Sequence, residues 1–231
     1  MHLKQNGIIP TVSAYGVHVL TATGAALGLW ALALVYSGFY KEAFWVLALS
    51  VFVDGIDGTL ARAVNIDKWG DKIDGSLLDN LVDYLTWTVV PLFWGFAVMH
   101  LPVWVLLLCA ISSALAFSNK EAKTDDNFFL GFPSYWNIVV FYLFLLNIPD
   151  PYASIILLVF AAASLVPIKF IYPSKTPYFK VSTLILGGLY FVQMLLLLYL
   201  FDQSPIYLVY SSFIFPVYYF GLSFYINLKE V

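Results

Sequence analysis

Charge is what this chain has least of. Only 11% of its 231 residues are Asp, Glu, Lys or Arg, where water-soluble domains of this size usually run near a quarter. There is one arginine, Arg62, and one cysteine, Cys109. A lone cysteine excludes an intrachain disulfide, and its place inside an apolar run reads as a buried, inert thiol. A net charge of −3 with no run of basic residues gives no footing for nucleic acid. No internal repeat, low-complexity tract or linker divides the chain, so a single domain over 1–231 is expected. The opening MHLKQNGIIPTV is too polar for a signal peptide and has no cleavage site, and it reads as a short cytosolic lead-in.

What is abundant is apolar: 61% hydrophobic residues, 19% aromatic, and a mean hydropathy of +0.86. Long runs of this kind define an all-α, polytopic membrane protein, because a bilayer admits helices that are apolar all round. Punctuating the runs at Gly, Pro and charge clusters gives about eight segments: 14–36, 42–64, 75–99, 102–119, 133–148, 151–171, 180–201 and 204–226. Pro149 and Pro151 in NIPDP fit a tight turn between the fifth and sixth, and Pro133 is expected to start the fifth. If the amino terminus is cytosolic, ten basic residues fall inside (Lys4, Arg62, Lys68, Lys72, Lys120, Lys123, Lys169, Lys175, Lys180 and Lys229) and Lys41 alone falls outside. That asymmetry and an even helix count place both termini in the cytosol.

Against this background, VDGIDGTLARAVNIDKWGDKIDGSLLDNLVDY, residues 53–84, holds seven aspartates, half of the fourteen acidic residues, together with the only arginine. Asp54 and Asp57 lie three apart near the end of the second segment, and Asp79 and Asp83 four apart near the start of the third. Both spacings put a pair on one helical face. Two adjacent antiparallel helices thus aim four carboxylates at one spot. A single ionised residue at mid-bilayer costs about 2.5–3.5 kcal/mol on insertion scales, so the cluster calls for cations. One arginine cannot balance four aspartates, and one or two divalent ions are the simplest compensation. Gly55, Gly58 and Ala61 keep a helix face small for a ligand or a neighbouring backbone, and Arg62 suits a phosphate oxygen. The set reads as a diphosphate site with magnesium or manganese. A structural carboxylate cluster or an ion path is the alternative.

The same residues resemble the signature of the CDP-alcohol phosphatidyltransferase family, D-x-x-D-G-x-x-A-R, a spacer, then G-x-x-x-D-x-x-x-D. Asp54, Asp57, Gly58, Ala61, Arg62, Gly75, Asp79 and Asp83 fill every fixed position. The departure is a twelve-residue spacer, Ala63 to Asp74, longer than the usual one. The resemblance implies that Asp54, Asp57 and Asp79 ligate two divalent cations, Mn2+ or Mg2+. Asp83 is implied to be a ligand and also the general base, with Gly58, Ala61, Arg62 and Gly75 on the cytidine diphosphate of the donor.

The acceptor differs within the family. An anionic acceptor favours Arg or Lys in the pocket, but the only arginine lies in the motif. Lys120 and Lys123 serve either as anion partners or as topology signals. A quaternary ammonium acceptor wants aromatic faces. NFFLGFPSYWNIVVFYLF (127–144) and YGVHVLTATG (15–24) are similar to the branch of the family that transfers phosphatidyl from CDP-diacylglycerol directly to choline with release of CMP. That likeness implies eight spans, manganese dependence, a homodimer, and a bacterial inner membrane with the site on the cytosolic side. Tyr84, Trp87, Tyr135, Trp136 and Asn137 are candidates for the acceptor pocket, with an interfacial belt as the alternative for each aromatic. Thr21 and His18 are candidates to line the nucleotide site, with packing the alternative for His18. Serine or another alcohol, the swapped pair CDP-choline and diacylglycerol, a cation transporter and an assembly protein remain rival readings.

Overall fold

The computed structural model describes residues 5–124, 126–173 and 175–229. It is helical throughout except for one small pair of strands, and it divides into two compact units, one ending at Trp94 and the other beginning at Gly95. Among the described residues five helices are long and apolar enough to cross a membrane: Ile9–Tyr36, Tyr40–Val64, Gly75–Met99, Lys180–Gln203 and Ile206–Lys229. Three shorter apolar helices, Val103–Ser118, Trp136–Leu145 and Asp150–Ala163, lie below the roughly 20 residues of a full crossing. Together these match the eight apolar segments. Large hydrophobic side chains such as Leu29, Leu107, Val159 and Val192 stay exposed, as a lipid-facing surface requires.

In the first unit, α1 (Gln5–Tyr36) runs into the turn at Ser37–Gly38, followed by α2 (Tyr40–Val64). The helix thus begins nine residues earlier than the expected start at 14, taking in part of the supposed lead-in. Lys4, counted with the inside set, lies outside the described residues. Asn65, in the left-handed conformation at φ 54°, ends α2, and the spacer contains a single helical turn, α3 (Ile66–Trp69). Asp74 then starts α4 (Gly75–Asp83) by accepting a 2.9 Å hydrogen bond from the Leu77 N–H, the usual role of an aspartate at a helix start. Asp74 is therefore a helix cap as well as a spacer residue. The fully buried Trp94 donates its indole N–H to the Tyr40 carbonyl at 3.0 Å and meets Phe44 edge-on, 4.7 Å between ring centres.

The third span is not one regular helix. Between α4 and α5 (Val90–Met99), residues Tyr84–Val89 are wound as a π-helix, and the Val90 N–H reaches the Leu85 carbonyl five residues back. Pro91, with no N–H, cannot bond the Trp87 carbonyl four residues earlier, and its ring crowds that carbonyl. Wider winding just upstream is the local answer to that missing bond.

In the second unit, α6 (Val103–Ser118) faces α8 (Asp150–Ala163), with the Cys109 thiol buried between them 3.8 Å from the Leu157 carbonyl. The fifth segment differs from expectation: α7 (Trp136–Leu145) starts three residues after Pro133. Residues 128–130 form β1, which pairs antiparallel with β2 (Lys169–Ile171) in the register Phe128↔Ile171, Phe129↔Phe170, Leu130↔Lys169. The sixth segment, expected to be helical to 171, stops as a helix at Ala163. Gly131, at φ +82°, lets the chain leave β1 against the Ser164 backbone, where a side chain has no room. The remaining elements are α9 (Lys180–Leu200), α10 (Ile206–Ser212) and α11 (Ile214–Lys229). The last span breaks at Phe213 because Pro216 cannot donate to the Ser212 carbonyl.

Phe128, Phe132, Phe170, Ile171, Tyr219, Leu222 and Ile226 bury a common core under the strands. The open edge of β2 is closed by α11. The Asn227 amide donates to the Lys169 carbonyl at 2.7 Å and accepts from the Lys169 N–H at 3.0 Å, and Ser223 accepts from the Ile171 N–H at 3.1 Å. Lys169 also binds Asp126 at 2.7 Å, and this contact holds the Asp126 carboxyl below its ordinary range.

Candidate active site

The carboxylate cluster lies within the first unit. Asp54 and Asp57 sit one turn apart on α2, and Asp79 sits on α4. One carboxylate oxygen from each lies within 4.8 Å of the others, and Asp57 is buried, 6% exposed. Asp83, one turn beyond Asp79, lines the same recess without joining that trio. The recess is completed by Thr21, Gly24, Ser50, Val53, Val82 and Thr86. The structure therefore brings all four motif aspartates to one recess, from two helices whose nearest members, Asp57 and Asp79, are 22 residues apart in the chain.

Three carboxylates this close repel one another by about 3–4 kcal/mol per pair at an effective dielectric near 20. A bound cation turns that repulsion into attraction. The donors are all hard carboxylate oxygens, the set that suits Mg2+ or Mn2+ and not a soft metal. The residues present fit a divalent ion.

The glycines and the arginine fall as their spacing requires. Gly58 leaves open space over α2 apart from the Arg62 guanidinium, whose Nη1 lies 3.6 Å from where a Cβ would stand. Arg62 is exposed and donates to Thr59 Oγ1 at 3.1 Å. Ala61 is half-buried on the same helix. Gly75 opens α4 beside the His18 ring, 3.3 Å from where its Cβ would stand. His18 is buried, and its Nε2 lies 3.1 Å from the Gly70 carbonyl. A carbonyl only accepts, so this nitrogen carries the proton. Through this contact His18 ties the spacer to α1. Thr21, expected at the nucleotide, places its hydroxyl 2.7 Å from Asp57 Oδ2.

The aromatic candidates separate. Tyr84 and Trp87 are half-buried in the π-helical stretch directly after Asp83. In the second unit Trp136 is fully buried and gives its indole N–H to Ser113 Oγ at 2.6 Å. Asn137 is buried and caps the Ile138 N–H at 2.8 Å, while Tyr135 packs against Phe132 and Tyr219. Trp136 and Asn137 are thus interior residues of that unit, and Tyr135 is half-buried beside them. Sequence reasoning missed Gly24 and Gly28. A side chain at either would collide with Val82 or Leu85, so these two glycines admit the third span against α1. Their small-xxx-small spacing in an apolar segment was the available signal.

An integral membrane protein with a carboxylate cluster shared by two neighbouring helices is the class these features define. The chain belongs to the CDP-alcohol phosphatidyltransferase family, whose sequence model matches residues 17–167. Among curated relatives, the phosphatidylcholine synthase of Legionella pneumophila is 39% identical over 175 residues, covering 74% of this chain and 69% of that protein. That of Legionella bozemanae is 40% identical over 166 residues, 70% of this chain and 76% of the relative. The phosphatidylcholine synthase of Borreliella burgdorferi is 35% identical over 180 residues, 76% and 77% of the two chains.

Proposed function

We propose that this chain makes phosphatidylcholine by transferring phosphatidyl from CDP-diacylglycerol to the hydroxyl of choline, releasing CMP. The observation that carries the proposal is the meeting of Asp54, Asp57 and Asp79 with Asp83 in one recess. Its setting is a chain whose relatives at 35–40% identity are phosphatidylcholine synthases. The match over 17–167 runs through both units, which supports treating the chain as one functional domain.

In this reading Asp54, Asp57 and Asp79, with Asp83, hold two divalent cations, Mn2+ or Mg2+. When bound, these neutralise the diphosphate and ease departure of CMP. Gly58, Ala61, Arg62 and Gly75 hold the cytidine diphosphate, the small residues by leaving room and Arg62 by charge-assisted hydrogen bonds to phosphate. Asp83 accepts the choline hydroxyl proton as the oxygen bonds to the phosphatidyl phosphorus. The phosphorus–oxygen bond to CMP breaks, and its electron pair leaves with CMP. Tyr84 and Trp87, just past the base, offer aromatic faces to the quaternary ammonium, while Tyr135, Trp136 and Asn137 serve as scaffold. Donor and product move sideways between helices, keeping their acyl chains in lipid. The protein works as a homodimer in a bacterial inner membrane, crossing it eight times, with both termini and the site on the cytosolic side. The charge asymmetry supports that orientation.

The test is purified protein given CDP-diacylglycerol, Mn2+ or Mg2+, and choline, serine, inositol or glycerol 3-phosphate in turn, with CMP measured. Release with choline is expected. Release with serine alone would overturn the acceptor and keep the chemistry, and none with any alcohol would overturn both.

A further inference from the structure

One face of α1 carries His18, Thr21, Gly24 and Gly28, spaced three, three and four apart, hence in line along the helix. Each meets a different part of the carboxylate-bearing hairpin. His18 holds the spacer at Gly70, Thr21 reaches Asp57, and the two glycines receive Val82 and Leu85. Of these four contacts, Thr21 to Asp57 is the one that touches the carboxylate trio. Both residues are buried, at 8% and 6% exposure, and 36 positions apart in the chain.

The direction of the hydroxyl proton can be decided. Thr21 Oγ1 lies 2.7 Å from Asp57 Oδ2 and 3.3 Å from the Val17 carbonyl one turn back. A hydroxyl has one proton to give, and the shorter bond to a charged acceptor is about twice as strong as a neutral one. The proton goes to Asp57. The other two hydroxyls lining the recess are committed differently: Ser50 donates to Leu47 at 2.8 Å and Thr86 to Val82 at 3.0 Å, each to a carbonyl of its own span.

We infer that Thr21 is a positioning residue for the metal site: its hydroxyl fixes the rotation of the Asp57 carboxylate so that an oxygen is presented toward Asp54 and Asp79. This rests on the reading of Asp57 as a metal ligand. Groups that orient ligands in this way typically contribute about 10–100-fold to metal affinity. Thr21→Val keeps the shape and removes the donor, whereas Thr21→Ser keeps the donor.

The experiment titrates full-length wild type, Thr21→Val and Thr21→Ser with Mn2+ alone, following free Mn2+ by electron paramagnetic resonance, with metal-free melting as the check on folding. Thr21→Ala supplies a second hydroxyl-free side chain should the valine variant fail to accumulate. Expected is a Mn2+ dissociation constant raised about 10–100-fold in the hydroxyl-free variant and near wild type in Thr21→Ser, with each variant still melting cooperatively without metal. Equal Mn2+ affinity in wild type and hydroxyl-free protein would overturn the inference. So would a serine variant as weak as the valine one, since the methyl group and not the hydroxyl would then matter. Because the readout is binding and not turnover, a chain that releases no CMP with any alcohol fails the proposed reaction while the role of Thr21 is still decided by Mn2+ affinity.

Discussion

Asp79 and Asp83 stand on adjacent turns of one short helix, and the proposed reaction gives them different jobs. Asp79 contributes an oxygen to the trio with Asp54 and Asp57, whereas Asp83 lines the recess outside it, the placement that suits a proton acceptor. Changing either to Asn keeps size and removes charge. Asp83→Asn is expected to lower CMP release by about 10²–10⁴-fold, the usual worth of a positioned base, a loss that saturating Mn2+ does not restore because the base role adds to its share in holding the metal. Asp79→Asn is expected to lose Mn2+ affinity and turnover together. Measuring both quantities on both variants separates the roles, and recovery of Asp83→Asn at saturating Mn2+ would merge them. These four aspartates were legible in sequence because their spacing is helical and their surroundings are apolar, where ionised residues are costly to keep. Thr21 was legible as a candidate for the nucleotide site, and not as a partner of Asp57. Its bond to Asp57 depends on how closely two helices approach, which no local pattern encodes.

At the scale of elements, the third span shows how local chemistry sets the site. A π-helical turn accommodates about one residue more than an α turn, and here it falls immediately after Asp83. Deleting Leu85 removes that residue and would rewind the stretch as α-helix, rotating α4 by about 100° against α5. The expected outcome is a protein that still inserts but releases CMP at least about 100-fold more slowly, because Asp79 and Asp83 swing away from α2. Retained activity would show that the winding is incidental. Pro91 was the sequence signal for this irregularity, and Pro216 likewise marked the break at Phe213. The strand pair left a weaker trace. Its partners lie about forty residues apart and each is three residues long, too short for alternation to register. For that reason 151–171 read as one helix although its last residues are strand.

For the whole molecule, the division of polar contacts is uneven. The first unit gathers the carboxylates, the arginine and the spacer, while the second is knit by buried hydroxyl and indole bonds between helices. Trp136 binds Ser113 at 2.6 Å, Tyr142 binds Ser212 at 2.7 Å, and Thr183 binds Tyr218 at 2.7 Å. Such pairs average about 0.6 kcal/mol in membranes, so this unit is held by many small contributions. The charge repulsion is concentrated in the other. Stripping divalent cations with a chelator is accordingly expected to abolish CMP release and lower the melting temperature, and Mn2+ or Mg2+ should restore both. Full activity after exhaustive chelation would remove the metal from the proposal.

The Asn227 clamp on β2 adds a matter of timing. The residues that line the carboxylate recess all fall between Thr21 and Thr86, so they have all been made once the ribosome has passed the third span. Lys169 and Ile171, in contrast, wait for Asn227 and Ser223, 58 and 52 residues later. That edge of β2 thus stays open until Ser223 and Asn227 have been made. A premature stop before Ser223 would spare the residues that line the recess yet leave that edge open.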